Sequence, residues 1–417
     1  VQAKIGIFSQ LSYRDNCAFD DCPNMKAFDA AAHAGEACAN FVPFARLGPS
    51  PDEMPTIPVM RPMLPRVERI APYIEAIDAS RYYSNFGPLA QSFEDRLAAR
   101  YGLPSGTVST VANGTWGLAL ALAAQNAKPG TLCVMPAWTF VASAHAAVSA
   151  GLVPYFIDVD PETWALDPAA VLDAVSGAPA VVGAVMPVAP FGSPIPVAAW
   201  DAFRDETGLA VVVDAAAGFD ALVPGATPAV VSLHATKVLG TGEGGFVVST
   251  DRAIVRAMRA RMNFGFDGTR QALFAATNAK FSEYHAAIGL AALDEWSDAR
   301  ADWMRVARQY RAAIEQSNRL HLQRGFGDEW IASTCLVRAE SPAAARIETV
   351  LAAHGIETRR WWDMGAHAHP ATAHFPRSAL RVTETLARST ISLPLYRDIR
   401  ADEIETVARL ARSALEL

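Results

Sequence analysis

Ser232-Leu233-His234-Ala235-Thr236-Lys237 runs into Gly240-Thr241-Gly242-Glu243-Gly244-Gly245-Phe246-Val247-Val248, with the short apolar run Ala229-Val230-Val231 ahead of it. Both flanks have the β-branched, apolar make-up of buried strands. A single lysine therefore sits on a glycine-rich connection between two strands, beside hydroxyls and a histidine. In apolar surroundings an ammonium is costly to keep, so such a lysine is either neutralised or put to use. One use is a Schiff base with a carbonyl cofactor. The alternative is a loop lysine whose ammonium reaches water.

About twenty residues earlier, Ala210-Val211-Val212-Val213-Asp214 is an apolar strand ending in a carboxylate. Ligands in parallel α/β sheets are held at such strand ends. A pyridoxal phosphate enzyme needs a carboxylate to keep the pyridine nitrogen protonated, so that the ring acts as an electron sink. Asp214 alone reads more readily as a turn or helix-cap residue. Asp214 followed by Lys237 supplies both groups in the expected order.

The 417 residues suffice for two domains with substantial cores, and 51% hydrophobic residues exclude a disordered chain. A net charge of -7 without a basic block gives no electrostatic case for nucleic acid or an anionic membrane. No apolar run reaches membrane-spanning length, and the expectation is a soluble, cytoplasmic protein. Cys17, Cys22 and Cys38 with His33 make a metal site conceivable, but no paired C-x-x-C occurs and free thiols are the simpler reading, so no metal is expected.

Residues 1-60 form an N-terminal extension of undecided role, ending in a Pro-rich stretch that reads as an extended linker or arm. Helical spacing covers Arg66 to Ile77 and Leu89 to Tyr101, with the turn-prone Tyr82-Tyr83-Ser84-Asn85-Phe86-Gly87-Pro88 between them. Val108 to Val111 is a strand that runs through Asn113-Gly114-Thr115 into an Ala/Leu-rich helix, a helix start suited to a phosphate. Leu132 to Pro136, Val153 to Asp158 and Ala180 to Val188 read as further strands. Phe140, just past one of them, is an aromatic able to stack on a planar ring or to pack in the core. Strands alternating with helices imply a mostly parallel sheet covered on both faces. Helices are expected over Arg252 to Met262, Ser282 to Ala299 and Trp303 to Gln316. Later come a strand over Trp330 to Val337, a helix over Pro342 to His354, a strand over Ile391 to Leu395 and a last helix from Ala401. That change of pattern suggests a large domain over 61-298 and a smaller α+β domain over 299-417.

Taken together, these residues resemble the DegT/DnrJ/EryC1/StrS family of sugar aminotransferases, over about residues 60 to 417. The Ser-x-His-x-x-Lys block with Gly-Glu-Gly-Gly after it is the most specific piece. The resemblance implies a fold type I transferase: a large domain with a mostly parallel seven-stranded sheet flanked by helices, and a smaller α+β C-terminal domain. It implies pyridoxal 5'-phosphate bound covalently by Lys237, which then serves as the proton-shuttling base. Asp214 would pair with the ring nitrogen and Phe140 would stack on the ring. Asn113, Gly114, Thr115 and Ser232 fall at the phosphate cup, and Asn263 matches a residue lent to the neighbouring subunit's phosphate, which implies a homodimer with shared sites. Tyr83, Asn85, His234 and Lys280 fall on the substrate side, Asn278-x-Lys280 standing where the family often has Asn-x-Arg. The implied reaction moves an amino group from an amino acid, glutamate or glutamine, to a keto-sugar nucleotide. A cyclic ketone without a nucleotide is the alternative within the family, and a non-catalytic binding or regulatory member is the alternative outside catalysis. One departure stands out: Ala217 lies three residues after Asp214, where the family commonly carries Gln or His. A dinucleotide-binding enzyme is a poor reading, since no G-x-G-x-x-G follows an early strand.

Overall fold

The computed structural model describes residues 56–340 and 343–416. Residues 1-55 of the 1-60 extension, with its three cysteines, lie outside the described residues. The stretch from residue 56 onward is extended, as its prolines suggest. Ile57 bridges Ile356 in parallel, and Leu395 N–H donates to Val59 O (3.0 Å), so this strand-like arm is tied to the C-terminal part of the chain.

Two helices come first, α1 (Val67–Ser80) and α2 (Pro88–Arg100). Alternation follows: β1 (Val108–Val111), α3 (Gly114–Ala124), β2 (Leu132–Pro136), α4 (Val141–Ser149), β3 (Val153–Ile157), α5 (Pro168–Ser176), β4 (Val182–Val185) and α6 (Val197–Thr207). The carboxylate strand is split at Val212 into β5 (Ala210–Val211) and β6 (Val213–Asp214). Val212 N–H still donates to Val185 O (3.1 Å), and Val188 bridges Asp214, so both halves stay on the same neighbour. After β7 (Ala229–Ser232) and β8 (Gly245–Val248), the strand order is β3-β2-β4-β5/β6-β7-β8-β1. Counting β5/β6 once gives seven strands. Pairing is parallel from β3 to β7, and β8 is antiparallel to both β7 and β1.

Each strand is buried on both faces, which explains why it reads as a continuous apolar run. Along β2, Cys133 and Met135 enter one core and Leu132 and Val134 the other, as the two-residue period of a strand requires. Helix α3 packs against α4 and against α7 (Arg252–Met262) on the first of these faces.

Beyond α7 the chain becomes mainly helical, and here the expectation needs correcting. The helix expected from Ser282 to Ala299 is two helices, α8 (Glu283–Asp294) and α9 (Trp296–Ile314), joined at Glu295 (φ -95, ψ 1). The break turns Trp296 inward, where its ring meets Phe219 edge-on at 4.7 Å. Both flanks keep helical spacing and neither Gly nor Pro marks the join. The boundary expected after residue 298 falls inside α9. The strand expected over Trp330 to Val337 is displaced to β10 (Cys335–Ala339). Trp330 instead folds over Phe326 in a loop and donates its indole N–H to Arg324 O (2.9 Å). Two elements went unread: β9 (Leu320–Leu322), and α11 (Arg381–Ser389), which follows α10 (Ala343–Ala352). With β11 (Thr390–Leu393) they give an antiparallel sheet, β11-β10-β9, against which α10 and α9 pack, and α12 (Ala401–Ser413) lies on those helices.

One glycine shows how tightly α3 sits on the sheet. A Cβ on Gly117 would lie 2.7 Å from Val230 Cγ1 and 3.2 Å from Val111 Cγ1. Alanine gains about 1 kcal/mol of helix propensity over glycine, but overpacking a core against stiff β-branched neighbours costs about 1–3 kcal/mol. Gly117→Ala should therefore lower the urea midpoint at unchanged m-value; a higher midpoint would show that α3 can lift off the strands freely.

Candidate active site

The lysine loop is a laced extension of the β7–β8 hairpin. Leu233 N–H donates to Gly244 O (2.9 Å), Ala235 N–H to Gly242 O (2.8 Å), and Lys237 N–H back to His234 O (2.9 Å). Gly244 has φ +154, and a Cβ there would lie 2.5 Å from the Phe281 ring. This position therefore requires glycine twice over, by conformation and by space.

Asp214 ends β6, is 6% exposed, and pairs in register with Val230, seven residues before Lys237. Its Oδ2 accepts the Ser143 hydroxyl (2.7 Å) and its Oδ1 the Ala216 N–H (3.1 Å). Burial pushes the Asp214 carboxyl above its ordinary range, opposed by the Ser143 hydroxyl, the Ala216 N–H and the charge of Lys237. Burial likewise pulls the Lys237 amine below its ordinary value, with Asp214 opposing. Each group thus moderates the other's desolvation, and the lysine is more easily freed of its proton than one in water.

The helix start expected at Asn113 is confirmed. Asn113 is the cap of α3, its side chain accepting the Trp116 N–H (2.9 Å). The first N–H groups of a helix have no intrahelical acceptor, so Gly114 and Thr115 still offer theirs. Ser232 is placed beside them: a Cβ on Gly114 would lie 3.4 Å from Ser232 Cβ and 3.8 Å from its Oγ. A hydroxyl against the positive end of a helix makes a cup for an anion. Phe140, the residue before α4, is 54% exposed.

An aminotransferase is what such a constellation serves, and comparison with known proteins gives the family. The sequence pattern described as the DegT/DnrJ/EryC1/StrS aminotransferase family matches residues 66–411. The chain belongs to this family. It is accordingly a pyridoxal phosphate-dependent aminotransferase of fold type I. Among its relatives, Protein Rv3402c of Mycobacterium tuberculosis is 31% identical over 88% of this chain and 92% of its own. The dTDP-4-amino-4,6-dideoxy-D-glucose transaminase of Shigella dysenteriae is 31% identical over 57% of this chain and 64% of its own. Among solved structures, that of DesI in the presence of its TDP-sugar product has a TM-score of 0.77 at 32% identity, covering 88% of this chain and 95% of DesI.

The remaining residues singled out in the sequence divide into groups. His234 Nδ1 is 2.8 Å from Thr236 Oγ1, and its Nε2 faces Glu243 at 3.7 Å, so it stands on the lysine loop itself. Tyr83 is stacked on Tyr284 with centroids 6.3 Å apart, and Asn85 lies two residues on at φ +64, both exposed. Asn263, Lys280 and Asn278 form a cluster joined to the end of β1 by the Ala112 N–H, which donates to Ala279 O (2.8 Å). Asn263 bridges Asn278, and Lys280 Nζ donates to Asn278 Oδ1 (2.6 Å) while lying 4.4 Å from the Phe264 ring centroid. Burial lowers the Lys280 amine as well. Asn263 lines a cleft of about 450 Å³ with Phe86, Glu94 and Arg259, none of them on the lysine loop. Among the described residues, no group of His, Cys, Asp and Glu could hold a metal, and no helix is long and apolar enough to cross a membrane.

Sequence reasoning missed three features. Ser143 and Thr139 were not singled out, although their i,i+4 spacing across a helix start was a signal. Glu283, 1% exposed, accepts the N–H groups of Leu89 (2.8 Å) and Ala90 (2.9 Å) and so pins the Tyr83–Pro88 turn to α8. Past the strands of the large sheet, Trp362 lies flat on Phe191 (3.7 Å) and edge-on to Trp138 (5.3 Å).

The opposed shifts have a measurable sign. Because the folded chain releases the Lys237 proton below 10.5, the unfolded chain binds more protons in that window, and stability rises with pH through it. Beside the fixed effect of removing the charge that opposes burial of Asp214, the stability difference between Lys237→Met and the wild-type cofactor-free chain should move in favour of the wild type as pH rises toward 10.5. Urea unfolding at the two ends of the window checks this; a difference that is constant with pH would mean the amine is not desolvated.

Proposed function

We propose that this aminotransferase moves the amino group of glutamate or glutamine to the ketone of a keto-sugar nucleotide. The observation that carries the proposal is that buried Asp214 lies within electrostatic reach of Lys237, on the chain that also builds the cup of Gly114, Thr115 and Ser232. The Shigella relative named for a dTDP-sugar and the DesI structure with a TDP-sugar product support the substrate class.

The residues fit the cofactor. A planar ring with a phosphate needs an anion cup, a buried carboxylate for its ring nitrogen, a lysine within reach of its carbonyl and an apolar face. Here the cup is Gly114, Thr115 and Ser232 with Asn113 as its cap, the carboxylate is Asp214, the lysine is Lys237, and the exposed face of Phe140 is open to stack. When bound, pyridoxal phosphate supplies an electron sink for the charge left at the donor's α-carbon. Lys237 Nζ takes the α-proton and returns it on the far side of the transfer, a task that suits an amine whose pKa burial has lowered. Asp214 holds the proton on the ring nitrogen. Tyr83, Asn85, His234 and Lys280 are proposed to face the sugar nucleotide.

Asn263 lines a cleft that takes no residue from the lysine loop, and we read it as the residue lent to the phosphate of a second subunit. We therefore read the active form as a homodimer with shared sites. Lys237→Ala should abolish amino transfer, and Asn263→Ala should weaken cofactor binding and activity. If the sites are shared, mixing the two variants under conditions of subunit exchange should give about a quarter of wild-type activity from the heterodimers, above what the Asn263→Ala homodimer retains, since half the dimers carry one intact site. Exchange without any recovery would place Lys237 and Asn263 in the same chain's site, and an active Lys237→Ala protein would sink the mechanism.

A further inference from the structure

Asp214 is buried, yet it must stay a carboxylate if it is to hold a proton on the cofactor ring. Ala217 has only a methyl group to offer it. The hydrogen bonds to the carboxylate come from the Ala216 N–H and from Ser143, whose hydroxyl is fully buried. Ser143 Oγ in turn lies 2.8 Å from Thr139 Oγ1, and Thr139 is 1% exposed.

The direction of this chain follows from chemistry. A carboxylate only accepts, so the Ser143 proton points at Asp214 Oδ2. Ser143 Oγ then has lone pairs free, and Thr139 donates to it. Every hydroxyl proton has an acceptor. Had Asp214 Oδ2 carried the proton, the chain would run the other way, from Asp214 to Ser143 to Thr139. The Thr139 proton would then need a further acceptor, and Phe140 O, at 3.5 Å, is the one in reach. That is at the limit of a hydrogen bond, in a place closed to water. The chain is therefore fully satisfied with Asp214 ionised, and one hydroxyl proton is left with a poor acceptor when Oδ2 is protonated.

The geometry points to Thr139 and Ser143 as positioning residues, a one-way hydroxyl relay that holds Asp214 as an oriented carboxylate toward the ring nitrogen of the cofactor. This rests on the reading of Asp214 as the ring-nitrogen partner. Lys237 also faces the carboxylate, but a lysine committed to bonding and proton transfer is not a constant counter-charge, whereas the hydroxyls are. The relay is anchored in the loop after β2, at the residue next to Phe140.

The test uses the holoenzyme with Ser143→Ala, Ser143→Thr, Thr139→Val and Asp214→Asn, reading the equilibrium dissociation constant for pyridoxal phosphate and the pH profile of amino transfer. Losing a hydrogen bond to a charged group is expected to weaken cofactor binding about tenfold in Ser143→Ala and to move the acidic limb of the profile to higher pH. Thr139→Val, which cuts the relay without touching Asp214, should shift both in the same direction by less, and Ser143→Thr should restore them. Wild-type binding and an unmoved limb in both Ser143→Ala and Thr139→Val would overturn the relay. If Asp214→Asn loses the cofactor in that case, only the relay has failed. If Asp214→Asn is also unchanged, the reading of Asp214 has failed with it.

Discussion

Two opposite charges that burial disfavours, Asp214 and Lys237, govern the arrangement of the large sheet. A carboxylate at 6% exposure is costly unless something answers it. Its donors are the Ser143 hydroxyl and the Ala216 N–H, and the charge of Lys237 opposes its burial from the loop after the next strand: β6 is parallel to β7, Asp214 sits opposite Val230, and Lys237 comes seven residues later. Parallel neighbours require a crossover between them, and those crossovers are the helices that bury both faces of the sheet. The helical cover and the site are thus consequences of the same strand order.

The reversal at β8 serves the other half of the site. Gly245 pairs with Ser232 on one side and with Val111 on the other, so three strands bring Ser232, Gly245 and Val111 into one row. Three residues past Val111 the chain reaches Gly114 and the start of α3. A Cβ on Gly245 would lie 2.9 Å from Gly114 N, so only glycine allows the helix start to settle that close to the hairpin. The cup between Ser232 and α3 is therefore a product of antiparallel register, and the charge pair a product of parallel register. A sheet of one type could not supply both.

This division explains what could be read from the sequence. Leu132 to Pro136 and Arg252 to Met262 were legible to the residue because a doubly buried strand is a bare apolar run and Asp251 caps the helix that follows it. Lys237 and Asp214 were legible because chemistry restricts the residue types that can stand there. The join at Glu295 was not, since α8 and α9 continue one helical pattern and only the fit of Trp296 against Phe219 separates them. β9 is three residues long with His321 exposed at its centre, too short for alternation to register. Ser143 escaped for a different reason. A serine in an Ala-rich helix has no pattern of its own, and its partner is 71 residues away.

The same reasoning bears on Ala217. Judged from sequence, a methyl group three residues after the aspartate reads as a loss, because a side chain able to hydrogen-bond is missing. In the fold the carboxylate already has a donor on each oxygen, one from the backbone at Ala216 and one from Ser143. Close packing surrounds position 217 as well: Gly192, at φ +98, would place a Cβ only 2.6 Å from the Ala217 carbonyl oxygen. A carboxylate is held by the number and direction of its donors and not by which segment supplies them. A departure at one position of a motif is therefore weak evidence of lost chemistry until the partners of the group it served have been counted.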